Sequence, residues 1–335
     1  MWTSGKFAKF PNGDEHANEP GMTSSDIKPE LLPFDEVVRR VLKSVPPDGT
    51  PVFSLLPEIW AAPQALAPEK SDSLVPYLRP IRILPSEGKF ILSASERFIS
   101  VSEGALNLLW CASYAAWFIY QAYIDAQKND LPSVQLGKDP EAVTALDLYE
   151  WAIRCVRTEK HDPWPSDAPR PSRTPPFALP VQVANEVFLV AVGWMLLHEL
   201  GHIAHQHPFI ETSRAKLEES EADRFATLHV LEGVSDPSVL LKRSIGIAVA
   251  NVLLVLLDIL TETASSNAYP PAEERLSRNL RENQLSQSHP VHAFTTALLQ
   301  VHLQRFGVPH DLNEKDTFAS FVDDFCLALS RCRRR

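Results

Sequence analysis

The stretch from Val181 to Leu197 constrains the fold more than any other part of the chain. Its polar residues, Gln182, Asn185 and Glu186, all fall near its start, and from Val187 onward it holds only Val, Phe, Leu, Ala, Gly, Trp and Met. Apolar residues on every side of a segment this long imply a helix buried in a core, not one lying on a surface. The 335 residues, 44% of them hydrophobic, are enough for one large domain or two modest ones, and either can bury such a core. The helix is expected to begin at Pro180 and to end in His198-Glu199-Leu200-Gly201-His202.

That ending carries chemistry. Two histidines four residues apart lie on one helical face, so both imidazoles can reach a single zinc ion. Glu199 is rotated by about 100° from His198. It misses the metal but can reach a water beside it, the place for a general base. Downstream, Glu219 and Asp223 repeat the spacing of four, with Ala226 and Val230 continuing their face. Glu219 is expected as the third zinc ligand. Asp223 is expected to accept a hydrogen bond from a ligating histidine, the kind of bond that fixes tautomer and ring orientation. Two histidines and one carboxylate leave a fourth position open, as catalytic zinc sites do and structural ones do not. The competing reading, histidines that only interact with carbonyls at a helix end, gives no account of the paired spacing. Glu218 and Glu221 read as a solvated acidic face. His205 and His207 read as surface or substrate-facing groups, because the pattern His-Glu-x-x-His-x-x-Gly-x-x-His fails where this chain has His205 and Pro208.

The remainder of the chain divides by composition. Residues 1–30 are polar and expected to be disordered, with no apolar stretch of a secretory signal. A mixed region over 31–160 begins with a short amphipathic helix, Leu31 to Leu42. A proline-rich stretch, Pro46 to Pro85, should be extended and irregular. Ile81–Leu84 and Phe90–Leu92 should pair as a β-hairpin. Ser102 is a sensible N-cap for a helix reaching about Lys128, and a further helix should cover Pro140 to Glu159. Residues 161–180, again proline-rich and carrying Trp164, Arg170 and Arg173, form a linker or a loop beside the active site. Lying over a metal, such a loop would hold an enzyme silent, and deleting Ser166–Thr174 would raise basal activity. Residues 181–335 form the metal-bearing domain.

Charge and cysteines exclude several classes. Lys and Arg number 32 against 42 for Asp and Glu, and the basic block Arg331–Arg335 reads as a solvated end, so no nucleic-acid partner is expected. The four cysteines form no CxxC pair, which points to a reducing compartment and away from thiolate zinc. Two apolar runs, Gly104–Ile124 and Ile245–Leu260, raise the question of a membrane. The first carries Asn107, Ser113 and Gln121. In the second, Asn251, Asp258 and Glu262 draw one polar stripe, and about 16 residues fall short of the ~20 needed to cross hydrocarbon. Buried helices are the favoured reading, with membrane contact disfavoured.

With these residues in view, the chain resembles gluzincin metallopeptidases. His198-Glu199-Leu200-Gly201-His202 and Glu219-Ser220-Glu221-Ala222-Asp223 match the two motifs of that group. Tyr269-Pro270-Pro271-Ala272-Glu273-Glu274-Arg275-Leu276 resembles its His-Pro-x-x-x-x-Arg-hydrophobe segment, with Tyr in place of the His. The order of the pieces is most similar to the Lit-type phage-exclusion peptidases, cytoplasmic zinc endopeptidases whose best-known member cuts a translation elongation factor. The ImmA/IrrE-type peptidases, which cut repressors, share a similar pattern. The resemblance implies a zinc-dependent endopeptidase acting on an intracellular protein. The mechanism also needs a group to stabilise the oxyanion, for which Arg275, Tyr269 and His289 are unranked candidates. Against it stand a membrane-associated gluzincin and a non-catalytic, zinc-stabilised binding domain. The expected fold class is α+β, predominantly α: zincin-like, with a small β-sheet and buried active-site helices.

Overall fold

The computed structural model describes residues 50–333 apart from 86, 131–135, 175–177, 209–213, 261–269, 283–284 and 306–316. The expectations for residues 1–30, for a helix over Leu31–Leu42, for Tyr269 and Glu262, and for the side chains of the Arg331–Arg335 tail lie outside the described residues.

Among the described residues the chain is mostly helical, with one small sheet. Helix α1 spans Leu56–Ala65, α2 Glu103–Lys128, α3 Pro140–Thr158, α4 Leu179–Ala204, α5 Ala215–Leu231, α6 Pro237–Leu260, α7 Ala272–Glu282, α8 Pro290–Arg305 and α9 Phe318–Arg333. Strands β1 (Ile81–Leu84), β2 (Leu92–Ala94) and β3 (Ile99–Ser102) stand in the order β1-β3-β2.

Helix α4 is the axis of the molecule. From Val187 to Gly201 nearly every side chain is buried, with α1, α2, α5, α6 and β2 packed around it. Trp194 and Phe188 are fully enclosed, so the all-round apolar run becomes the central layer of the core. At Gly246 of α6, an added methyl would meet the backbone nitrogen of Ala191 at 3.1 Å and overlap Val190, so the glycine sets how closely α6 can cross α4. One continuous core joins Val52 to Cys326 and includes residues from both sides of the 161–180 connection. Cys111, Cys155 and Cys326 are buried free thiols.

The expected helices over 102–128 and 140–159 are present. Ser102 accepts a hydrogen bond from the Ala105 amide, and Asp139 accepts one from Glu141. Three other expectations change. The hairpin does not form, because β3 lies between the two strands expected to pair, parallel to β1 and antiparallel to β2. Ile99 and Val101 face the core from this middle strand, and Ser102 doubles as the cap of α2. The proline-rich stretch is largely helical over residues 51–74, not extended. Its prolines Pro51, Pro57 and Pro68 stand in first turns, where a missing N–H costs nothing, and Val52, Phe53, Leu56 and Ile59 go to the core. The 161–174 segment is a packed strut away from the motif. Trp164 nests against Trp110 and Trp151, Asn185 donates to Ser172 O at 2.9 Å, and Arg173 pairs with Glu58 at 2.7 Å. Asn185 lies thirteen residues before His198 on α4, about 20 Å along the axis.

Helices α4 and α6 are each long and apolar enough to cross a membrane by length and composition, and 83% and 67% of their most apolar windows are buried inside the protein. The polar stripe expected on α6 faces α7. Asn279 donates to Asn251 at 2.9 Å, and Asp258 accepts from the Ala272 amide at 3.2 Å, at the start of that helix.

Candidate active site

Helices α4 and α5 run antiparallel with their polar residues in step. Trp194 Nε1 donates to Thr227 Oγ1 at 2.9 Å, His198 Nδ1 lies 2.9 Å from Asp223 Oδ1, and His202 Nε2 lies 3.5 Å from Glu219 Oε1. Each step is one helical turn on both helices. Gly201 sits at a close approach of the two backbones. A methyl there would stand 3.0 Å from Ala222 Cα and 3.2 Å from its carbonyl oxygen, so glycine lets α5 bring Glu219 up to the histidines.

The three groups meet within a small volume. His198 Nε2 and His202 Nε2 are 3.1 Å apart, and His198 Nε2 lies 3.4 Å from Glu219 Oε2. Around a tetrahedral ion with bonds of about 2.0–2.1 Å, ligand atoms are about 3.4 Å apart. The spacing therefore suits one metal ion, which His198, His202 and Glu219 could hold.

Arg275 reaches this pair of helices from α7. Its Nε and Nη2 donate to Asp223 Oδ2 and Oδ1 at 2.8 and 2.6 Å, and its Nη1 lies 3.1 Å from Glu219 Oε2. The guanidinium is 4% exposed and belongs to the carboxylates. Burial alone would raise both carboxyls, but Arg275 and the imidazoles outweigh it, holding Glu219 well below the usual carboxylate range and Asp223 below its own.

Glu199 is buried and accepts a hydrogen bond from the Ala94 amide of edge strand β2. Its burial pushes the carboxyl up to about 8, with the His198 charge opposing. Burial would depress His198, but its bonds to Asp223 and Glu219 raise it to about 9. These shifts bear on the fit of a metal. Glu199, Glu219 and Asp223 bring three carboxylates into a buried cluster with a single guanidinium. Near pH 7 the cluster balances the difference by holding protons on His198 and Glu199, the two positive charges that a divalent ion would bring.

The expectations for the flanking groups change. Glu218 is buried, at 7% exposure, not solvated. His207 is likewise 7% exposed. Its Nδ1 lies 3.0 Å from His202 Nδ1, and its Nε2 lies 2.9 Å from Glu221 Oε2. Burial holds His207 below the usual imidazole value despite Glu221. No helical periodicity marks His207, because it lies beyond the end of α4; the only sequence signal is a further histidine close to the motif. His289 stands at the start of α8, its Nδ1 accepting from the Val291 amide at 3.3 Å, and burial lowers its pKa. The structure thus brings His198, Glu199, His202, Glu219, Asp223 and Arg275 together. The contribution of Ala94 has no sequence signal, since a backbone amide leaves no mark in a motif.

A family model, Peptidase U49, matches residues 99–295, from β3 into α8. The chain belongs to the Peptidase U49 family. The matched span holds every element of the cluster except Ala94 of β2. The cell death peptidase of Escherichia coli (strain K12) is 28% identical over 292 residues, covering 84% of this chain and 98% of that protein. No solved structure matches the chain. The chain is thus placed in a peptidase family.

Proposed function

We propose that this peptidase is a zinc-dependent endopeptidase of gluzincin type, with His198, His202 and Glu219 as the metal ligands and Glu199 as the general base. The observation that carries the reading is the meeting of two imidazole nitrogens and a carboxylate at 3.1–3.5 Å, with the buried carboxyl of Glu199 on the same helix as both histidines. When bound, zinc supplies Lewis acidity, polarising a peptide carbonyl and making water acidic near neutral pH. The remaining work falls to the chain. The Glu199 carboxylate accepts the proton of the attacking water and passes it to the departing amine. The Ala94 amide fixes the carboxylate's orientation. Asp223 accepts from His198 Nδ1–H, leaving its Nε2 lone pair free for the metal, and Arg275 clamps Asp223 and Glu219. On this reading Arg275 is a positioning residue and not the oxyanion stabiliser.

The zincin-like interpretation of the fold rests on the same pair of motif-bearing helices with a small sheet beside them. The substrate is an intracellular protein and the setting the cytoplasm. The relative's name, with the Lit-type resemblance of the motifs, supports a role in cell death on phage infection. Elemental analysis of purified protein should find one zinc per chain, lost in His198→Ala. Profiling of new protein N-termini in cells expressing wild type or Glu199→Gln should reveal cleavage by the first alone. Absence of zinc, with none taken up on addition, sinks the metal assignment; identical profiles sink the role of Glu199.

A further inference from the structure

The two metal-facing histidines are held by different means. His198 rests directly on Asp223, whereas His202 Nδ1 meets His207 Nδ1 at 3.0 Å, and His207 Nε2 meets Glu221 Oε2 at 2.9 Å. We propose that His207 and Glu221 are positioning residues for metal binding: a relay that fixes His202 in the tautomer whose Nε2 lone pair faces His198 and Glu219. This rests on the reading of that group as a metal site.

The hydrogen inventory of the relay has one consistent solution with neutral rings. A carboxylate only accepts, so the hydrogen between His207 and Glu221 sits on His207 Nε2. A neutral imidazole carries one hydrogen, so His207 Nδ1 is bare and can only accept. The bond between the two Nδ1 atoms then uses a hydrogen on His202, which leaves His202 Nε2 bare. Each link dictates the next, and the single charge stands at the outer end.

The backbone is built to close this relay. Helix α4 ends in a Schellman turn: the His207 amide donates to His202 O at 2.9 Å and the Gln206 amide to Ile203 O at 3.1 Å. Gln206 takes the left-handed conformation, φ 56°, that this turn requires. The turn commonly carries an apolar contact between the two residues its outer bond joins. Here those residues are His207 and His202, and the contact is a hydrogen bond between their rings. His205 stacks on His207 at 5.4 Å, with planes 17° apart, covering one face of the ring. Glu221 stands two residues past Glu219, so α5 supplies both a ligand and the end of the relay. The Glu221 side chain is 37% exposed, which makes the relay a path from the metal site to the surface.

The test uses the full chain, stripped of metal and titrated with zinc against a competing chelator. His207→Phe keeps a ring of similar size without nitrogens, and Glu221→Ala removes the terminal acceptor. Each should weaken zinc binding by roughly 10- to 100-fold, the usual effect of losing a partner of a ligating histidine. Glu221→Gln retains an acceptor oxygen and should stay within about threefold of wild type, where loss of charge alone would not spare it. Nitrogen NMR of labelled histidines should show His202 protonated at Nδ1 in zinc-loaded wild type and lose that single state in His207→Phe. Thermal unfolding of the metal-free variants separates folding from affinity, and Glu221→Ala, at a partly exposed position, carries the test if His207→Phe does not fold. Unchanged zinc affinity in folded variants overturns the relay and leaves the metal site standing. Wild type that binds no zinc overturns both.

Discussion

Zinc loading of the metal-free protein at pH 7 should release about two protons. Without metal, His198 is raised to about 9 by Asp223 and Glu219, and Glu199 to about 8 by burial, so both are protonated at neutral pH. His198 must shed its proton to offer a lone pair. Glu199 sheds its own once a divalent charge stands beside it, reversing the penalty of ionising in a buried site. Linkage sets the sign: protons compete with metal, so affinity rises with pH. Below pH 8 two protons are displaced, and lowering the pH from 7 to 6 should weaken zinc binding about 100-fold, ~2.7 kcal/mol. Between pH 8 and 9 only the His198 proton remains, and the dependence should fall to about tenfold per unit. Calorimetry of zinc binding in buffers of different ionisation enthalpy counts the protons directly. Glu199→Gln, with no carboxyl to titrate, should release one. A count near zero, or the same count in both proteins, refutes the charge-balance argument. A count of one in wild type means that Glu199 keeps its proton beside the metal and cannot act as the base.

The same residues set other outcomes. In the metal-free protein Glu199 favours folding while protonated; that contribution is lost between about pH 4.5 and 8, and the contribution of His198 between about 6.5 and 9. Thermal stability should therefore fall as pH rises from 6 to 9, and Glu199→Gln should flatten the part of the fall below pH 8; a parallel curve refutes it. Arg275→Met leaves Asp223 and Glu219 buried without their guanidinium and should cost about 3–5 kcal/mol, read by urea unfolding of metal-free protein. A loss under about 1 kcal/mol would show that the clamp is dispensable. Gly201→Ala should weaken zinc binding severalfold with little change in helix content, because Ala222 must retreat by a few tenths of an ångström and carry Glu219 with it. Deleting Ser166–Thr174 removes the bonds to Asn185 and Glu58 and should lower the melting temperature without raising basal proteolysis; higher activity would return that segment to the cleft.

Much of the core and most of the cluster are legible in the sequence because they are helical. The spacing of four in His198 and His202 and in Glu219 and Asp223 is a property of one helix and needs no knowledge of its neighbours. The apolar run before His198 likewise announces its own burial. What stays illegible depends on chain reversal or on pairing at a distance. His207 acts through a turn in which a non-glycine residue, Gln206, adopts positive φ, and nothing in the residue type signals that. Glu218 reads as solvent-facing because α5 alone does not reveal what packs against it. The β1–β2 hairpin is a natural expectation from sequence proximity, yet β3 offers both strands a partner with Ile99 and Val101 turned to the core. Pro51, Pro57 and Pro68 mislead for another reason: composition counts them without asking whether each stands in the first turn of a helix.

The stepwise match of Trp194 with Thr227, His198 with Asp223 and His202 with Glu219 has a consequence for how such a site can change over evolutionary time. An insertion or deletion inside either helix rotates everything beyond it by about 100° per residue and unpairs all rungs on one side of the change. Between His207 and the start of α5 at Ala215 the same event shifts neither helical phase. Two lengths in the sequence are therefore locked, and the one between them is open to drift. A search for distant relatives should hold the spacing from Trp194 to His207 and from Glu219 to Thr227 rigid while letting the interval between them vary freely.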